Sequence, residues 1–82
     1  MGKFNVFVKT AEGHSITIEN MESCSTVMDL KQAIQQKEGH DPANIRLIFS
    51  GAELDNDDAT MEDYDVMKDS SLHMVLRLQG GF

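Results

Sequence analysis

The chain has 82 residues and carries 14 Asp and Glu against 7 Lys and Arg, so its formal net charge is −7. A chain of this length forms one small domain that buries only about 60% of its unfolded surface, which excludes a multi-domain enzyme and a large internal substrate cavity. The acidic excess argues against nucleic acid and membranes as partners, because phosphate backbones and anionic lipids attract basic proteins.

Cysteine content and hydropathy indicate the compartment. The lone Cys24 cannot form a disulfide within the chain, which is typical of a reducing environment. No stretch has the apolar character of a signal peptide or the length of about 20 residues that a membrane span requires. We therefore expect a soluble monomer of the cytoplasm and nucleus.

The first 19 residues predict a β-hairpin. Residues 4–10 and 15–19 alternate between apolar and polar side chains at period two, as half-buried strands do. Gly13 marks the turn between them, and Met21 continues the apolar face after an irregularity at Asn20. The inward positions are Phe4, Val6, Val8, Ile16 and Ile18.

Residues 27–38 predict a helix. The Thr26 hydroxyl can cap its first turn, and Asp29 places negative charge near the positive end of the helix dipole. Gly39 suits a left-handed C-terminal cap, and Pro42 prevents the helix from resuming. The apolar stripe that would face the core comprises Val27, Leu30, Ala33 and Ile34.

Two further strands are expected at 45–50 and 70–78, and the first of them ends at a turn formed by residues 50–51. The last strand should be central or well paired, and the acidic segment 52–69 should be a loop. Residues 1–78 should form a single domain, and residues 79–82 should be a flexible tail. The expected inward positions are Leu47, Phe49, Met61, Tyr64, Val66, Leu72, Met74 and Leu76.

Residue spacing predicts no catalytic or metal site. The acidic segment fails the calcium-loop pattern counted from Asp55, because Thr60 occupies the glycine position and Val66 the closing glutamate position. The three histidines and Cys24 lack metal-ligand spacing and the context of a nucleophile, and no Gly-rich phosphate loop occurs. We expect a protein that is not an enzyme, with no catalytic residue, no metal and no bound cofactor.

An apolar group on the outward face of the predicted sheet is not explained by core packing. Ile48 and Val75 alternate outward together with His73, and Arg46 and Arg77 would form a basic rim around them. If the two strands are neighbours, these side chains form a contact surface for another protein. The alternative is that they are scattered surface apolar residues, which are common.

The C-terminus ends in Gly80 and Gly81 followed by Phe82. Two glycines after a strand can be a frayed end. A terminus without Cβ atoms can also enter a narrow channel and present an unhindered carboxylate to an enzyme.

The chain resembles the ubiquitin family and is similar to ubiquitin and its Nedd8 branch. The similar runs cover nearly the whole chain and comprise residues 7–10 (FVKT), 37–39 (KEG), 46–49 (RLIF) with Gly51, 63–64 (DY), and 72–78 (LHMVLRL) with 80–81 (GG). The resemblance implies the β-grasp fold, an α+β architecture in which a mixed sheet packs on one helix, in agreement with the predicted order of elements.

The resemblance also implies a protein modifier made as a precursor. A C-terminal hydrolase would remove Phe82, and an activating enzyme (E1) would use ATP and magnesium to adenylate the carboxylate of Gly81. A conjugating enzyme (E2) and a ligase (E3) would then join Gly81 to lysines of substrate proteins. The chain itself would bind no cofactor, and receptor domains would recognise its hydrophobic patch.

The site residues implied by the resemblance form four groups. Conjugation would use Gly80 and Gly81. The activating enzyme would hold the tail through Arg46, Leu76, Arg77, Leu78 and Gln79. The hydrophobic patch would comprise Ala11, Ile48, Gly51, His73 and Val75. The candidate acceptors for chains of the modifier are Lys9, Lys31, Lys37 and above all Lys68, whereas the lysine that the family uses for degradative chains is Ala52 here.

Departures from the family keep other functions open. Ala11 replaces a leucine of the patch and predicts weaker receptor binding, and Gln79 replaces the last arginine of the tail. Arg77 matches ubiquitin where the Nedd8 branch carries Ala, which favours a ubiquitin-type activating enzyme. The alternatives are an interaction protein that is never conjugated, as Gln79 and Phe82 would suit, and a β-grasp sulfur carrier.

Overall fold

The computed structural model describes residues 2–77, so the predictions for Leu78, Gln79, Gly80, Gly81 and Phe82 lie outside the described residues. The elements are β1 (Phe4–Lys9), β2 (Ser15–Met21), α1 (Val27–Glu38), β3 (Ile45–Phe49), β4 (Ala52–Glu53) and β5 (Ser71–Leu76), with short 3₁₀ turns at Pro42–Asn44 and Glu62–Tyr64. The strands form one mixed sheet in the order β2-β1-β5-β3-β4, in which β1 and β5 are parallel and the other pairs are antiparallel.

The predicted hairpin and its irregularity are both present. Val6 pairs with Ile18 and Phe4 pairs with Met21, so β2 carries one residue more than β1 between these pairs. Asn20, with φ 65°, lies in this bulge. The bulge returns Met21 to the inner face of the sheet, where the side chain is buried.

The helix has the predicted limits because both of its ends are capped locally. The amide of Asp29 donates to the Thr26 hydroxyl (3.1 Å), and the amide of Thr26 donates to the Asp29 carboxylate (2.9 Å), which forms a capping box. At the other end Gly39 adopts φ 81°, and its amide donates to the carbonyl of Gln35 (2.8 Å).

One core lies between the helix and the inner face of the sheet. The predicted inward positions are buried or packed against this core, with Phe4, Ile16, Ala33, Phe49, Tyr64 and Leu76 partly exposed. Leu54, which the sequence analysis did not place in the core, is 1% exposed. The core residues are Val6, Val8, Ile18, Met21, Val27, Leu30, Ile34, Ile45, Leu47, Leu54, Met61, Val66, Leu72 and Met74.

The segment 52–69 differs from the predicted loop, because it begins with the short strand β4. Ser50 and Gly51 both have positive φ, 56° and 81°, which is the geometry of a tight two-residue hairpin turn. This turn pairs Phe49 with Ala52 and Ile48 with Glu53. The amide of Leu54 then donates to the carbonyl of Leu47 (2.8 Å), which holds the Leu54 side chain in the core.

The last strand is central, as predicted, but it spans Ser71–Leu76 and is shorter than the predicted 70–78, because the described residues Ser70 and Arg77 lie outside it. It pairs with β1 on one side and β3 on the other, which makes the strands of the candidate contact surface neighbours. None of the helices among residues 2–77 combines the length and apolar character needed to cross a bilayer.

Candidate functional site: the outward face of the sheet

The outward face of the sheet aligns four side chains in one row. Lys9 pairs with His73, His73 with Ile48, and Ile48 with Glu53, so the row crosses strands β1, β5, β3 and β4. Because side chains on a strand alternate between faces, the partners of this row share the side of the sheet away from the helix. We call this row, together with Arg46 and Val75, the contact face.

The second pair of the contact face is Arg46 opposite Val75. Ile48 and Val75 are therefore diagonal neighbours on adjacent strands, within reach of one another. Val75 is 47% exposed, Ile48 is half-buried and His73 is exposed. The structure thus brings together the apolar residues and the histidine that the sequence predicted for a binding patch.

The two turn residues assigned to the patch lie at opposite ends of it. β1 and β5 are parallel, and Lys9 pairs with His73. The residues that follow Lys9 therefore lie towards Val75, so exposed Ala11 borders the Val75 end of the contact face. β3 runs the opposite way, which puts Gly51 at the other end, beyond Ile48. Both turns border the contact face, and Ala11 adds only a methyl group to it.

An ion pair that the sequence analysis missed closes one side of the contact face. The Arg46 Nη1 donates to Oε1 (3.1 Å) and Oε2 (2.9 Å) of Glu53. The two side chains are 37% and 35% exposed, so the pair lies at the surface beside Ile48. The register of β4 produces this contact, and nothing in the sequence pattern marked β4 as a strand.

The residues assigned to tail recognition are only partly within the described chain. Arg77 is exposed, and its amide donates to the carbonyl of Asn44 (2.7 Å), which ties the end of β5 to the turn before β3. Leu76 packs against the core and is partly exposed. Arg46 is held by Glu53, as described above.

The four candidate acceptor lysines differ in accessibility. Lys9, Lys37 and Lys68 are exposed. Lys31 is only 8% exposed, and its Nζ donates to Oδ1 of Asp57 (2.7 Å). Because Lys31 is buried and its ammonium contacts Asp57, a partner cannot readily approach it, and the folded structure disfavours Lys31 as an acceptor.

The acidic segment uses its carboxylates in local structure. Besides the Asp57 contact to Lys31, the amide of Thr60 donates to Asp63 Oδ2 (2.9 Å), and the amide of Asp63 donates to the Thr60 hydroxyl (3.1 Å). Cys24 is exposed with a free thiol. A cluster of His and Glu side chains that could hold a metal ion lies elsewhere, between the 10–14 turn and the end of α1.

A mixed five-stranded sheet on one helix, with an apolar contact face turned to solvent, defines a ubiquitin-like protein of the β-grasp class. The family model described as Ubiquitin family matches residues 6–79. This chain belongs to the ubiquitin family.

Several relatives match it over nearly their whole length. NEDD8-like protein RUB1 of Saccharomyces cerevisiae is 41% identical over 76 residues, which cover 93% of this chain and 96% of that protein. NEDD8-like protein RUB3 of Arabidopsis thaliana is 39% identical over 74 residues, 90% of this chain and 92% of that protein. Ubiquitin-like protein NEDD8 of Dictyostelium discoideum is 36% identical over 74 residues, 90% and 94% of the two chains.

Proposed function

We propose that this protein is a modifier that is conjugated through the carboxylate of Gly81 to lysines of substrate proteins. The observation that carries the proposal is the match to NEDD8-like proteins over 92–96% of their length. The exposed contact face and the Gly80–Gly81 pair near the C-terminus support it. The protein would act in the cytoplasm and nucleus.

The proposed chemistry requires a processing step. The Gly81 carboxyl group is engaged in the peptide bond to Phe82, and a C-terminal hydrolase would add water across this bond and release Phe82. The Gly81 carboxylate would then attack the α-phosphate of ATP in the activating enzyme, giving an acyl adenylate and pyrophosphate. An enzyme thiol would displace AMP to form a thioester, and a substrate lysine would displace the thiol to form an isopeptide bond.

In these reaction steps the chain catalyses nothing, and its partner enzymes carry out the chemistry. The activating, conjugating and ligase enzymes and the hydrolase would engage the tail, and receptor domains would bind the contact face. The apolar pair Ile48 and Val75 offers the desolvation that drives such binding, and His73 offers a polar contact at its edge. ATP and magnesium would belong to the activating enzyme.

Two observations point to different activating enzymes. Exposed Arg77 is the residue expected for the ubiquitin-type enzyme, whereas the relatives reported above carry NEDD8-like names. We propose the ubiquitin-type enzyme, because an arginine at the exit of β5 adds a cationic side chain with five donors that a matching acidic site can bind.

The test uses three purified forms, residues 1–80, 1–81 and 1–82, each incubated with a ubiquitin-type or a NEDD8-type activating enzyme, ATP and magnesium. We expect form 1–81 alone to give a thioester band that disappears on reduction, and to give it with the ubiquitin-type enzyme. Form 1–80 is the control, because it also ends in a glycine but is one residue too short. Failure of form 1–81 with both enzymes would contradict conjugation.

A second function, an interaction protein that is never conjugated, is favoured by Phe82, which blocks the Gly81 carboxyl group. It would retain receptor binding through the contact face. Expression of an epitope-tagged chain in cells distinguishes the two functions. A modifier gives covalent adducts that survive denaturation and lack Phe82, whereas an interaction protein gives only the intact 82-residue chain.

A further inference from the structure

Four side chains from the β1–β2 turn and the end of α1 converge on one area of the surface, away from the contact face. The Nε2 of His14 lies 3.4 Å from Oε2 of Glu38, and the Nε2 of His40 lies 3.7 Å from Oε2 of Glu12. Ligand atoms of Glu12, Glu38 and His40 all lie within 4.8 Å of one another. Spacing along the chain could not reveal this group, because the hairpin and the helix end meet only in the folded protein.

The distances suit a small tetrahedral cation. With bonds of about 2.0–2.1 Å to nitrogen or oxygen, the ligands of a tetrahedral Zn²⁺ lie about 3.4 Å apart. The two His–Glu pairs have nearly this separation already. The other ligand atoms of Glu12, Glu38 and His40 lie within 4.8 Å of one another and need to close by up to about 1.4 Å, which rotation of these partly exposed side chains provides. His14 contacts only Glu38 of this group and needs to rotate towards the other two ligands.

Charge and orientation also favour a cation. Glu38 and His40 flank Gly39, the cap at the negative end of the helix dipole, which attracts positive charge. The Nδ1 of His14 lies 3.3 Å from the hydroxyl of Thr10, a residue only 4% exposed. The Thr10 hydroxyl can donate to Nδ1 while Nε2–H donates to Glu38; in the other tautomer Nδ1–H donates to Thr10 and leaves the Nε2 lone pair free to bind a cation.

We propose that Glu12, Glu38 and His40, with His14 as fourth ligand, form a Zn²⁺ site that links the β1–β2 turn to the end of α1. Two carboxylates and two neutral imidazoles balance the divalent charge. Mixed imidazole and carboxylate donors suit Zn²⁺, whereas Mg²⁺ and Ca²⁺ prefer oxygen donors alone. This inference departs from the expectation of no metal site that residue spacing gave, and it does not depend on conjugation.

The test is calorimetric titration of the untagged 82-residue chain with ZnCl₂ in a buffer that does not bind metals. We expect one Zn²⁺ per chain and a rise in Tm with Zn²⁺, since the cation binds only where the hairpin and helix end are together. An excess of Mg²⁺ should not displace it. The variants H14Q, H40Q and E12Q should each weaken binding at least about tenfold.

Matched controls are H73Q and C24S, which remove exposed candidate ligands elsewhere on the surface. They should bind Zn²⁺ as the parent does, and circular dichroism should show that all variants are folded. Unchanged affinity in H40Q and E12Q, or loss of binding in H73Q or C24S, would overturn the site. Absence of Zn²⁺ binding by the parent would overturn it directly.

Discussion

Arg46 on β3 and Glu53 on β4 form an ion pair through both carboxylate oxygens, beside the apolar centre of the contact face. The guanidinium that the family resemblance assigns to tail recognition is therefore already paired within the protein. A partner that binds Arg46 through Nη1 competes with Glu53, and the loss of this pair reduces the gain from the new contact.

The substitution Glu53→Gln should therefore strengthen binding to an activating enzyme or receptor with a carboxylate aimed at Arg46, by about twofold to fivefold. The free energy of unfolding should change by less than about 1 kcal/mol, because the pair is at the surface. Calorimetric titration and urea denaturation measure the two effects. Glu62→Gln, which removes an exposed carboxylate on the 3₁₀ turn, is the control, and equal affinities of the two variants would contradict the prediction.

Ile48→Ala should weaken receptor binding about tenfold or more, because Ile48 lies in the middle of the aligned row with His73 and Glu53. The loss of stability should be small for an apolar truncation, since the side chain is only half-buried. Titration of a ubiquitin-binding receptor domain measures the affinity. Met67→Ala removes an apolar side chain that is 65% exposed outside the contact face, and a similar loss there would show that the receptor binds elsewhere.

Ala11→Leu should strengthen receptor binding by up to about fivefold, because the added apolar area contributes about 25 cal/mol per Å² when a partner covers it. Ala11 is exposed and belongs to the Val75 end of the contact face, so the longer side chain meets a partner rather than the core. The same titration measures the gain. Ala43→Leu makes the same change at an exposed position in the turn before β3, and an equal gain there would refute the role of Ala11.

Asp57→Asn should destabilise the protein by about 1 to 2 kcal/mol, because it leaves the buried Lys31 ammonium without its charged partner. Lys31→Met retains the apolar part of the side chain and removes the buried charge, so it should cost less. Urea denaturation of the two variants and of the double variant gives the coupling between them. A larger loss in Lys31→Met than in Asp57→Asn would show that the lysine stem, and not the charge pair, stabilises this region.

The helix and the first hairpin could be predicted because their signals are local. The capping hydroxyl of Thr26, the carboxylate of Asp29 and the left-handed Gly39 lie within a turn of the helix ends that they define. Period-two alternation likewise located β1, and the bulge at Asn20 was visible as a break in that alternation. The outward direction of Ile48 and Val75 follows from the same alternation.

The strand β4, the burial of Leu54 and the pairing of Arg46 with Glu53 could not be predicted in this way. A two-residue strand has no periodicity of its own and exists only because the turn at Ser50 and Gly51 returns it to β3. The Lys31–Asp57 pair joins residues 26 positions apart, and His14 and Glu38 are 24 apart. No local sequence pattern indicates such contacts, because the partners meet only when the chain folds.

The amino-acid sequence by itself determined the order of β1, β2, α1, β3 and β5, the limits of the helix and the identity of the apolar outward residues, since each depends on neighbours a few positions away. It also determined the family resemblance, through similar runs along nearly the whole chain. Only the tertiary structure decided which strands are adjacent. It thereby decided that Lys9, His73, Ile48 and Glu53 form one row, that Lys31 is buried, and that Glu12, Glu38 and His40 meet. These relationships depend on the register of the sheet and on the packing of the helix against it, which are properties of the whole folded chain.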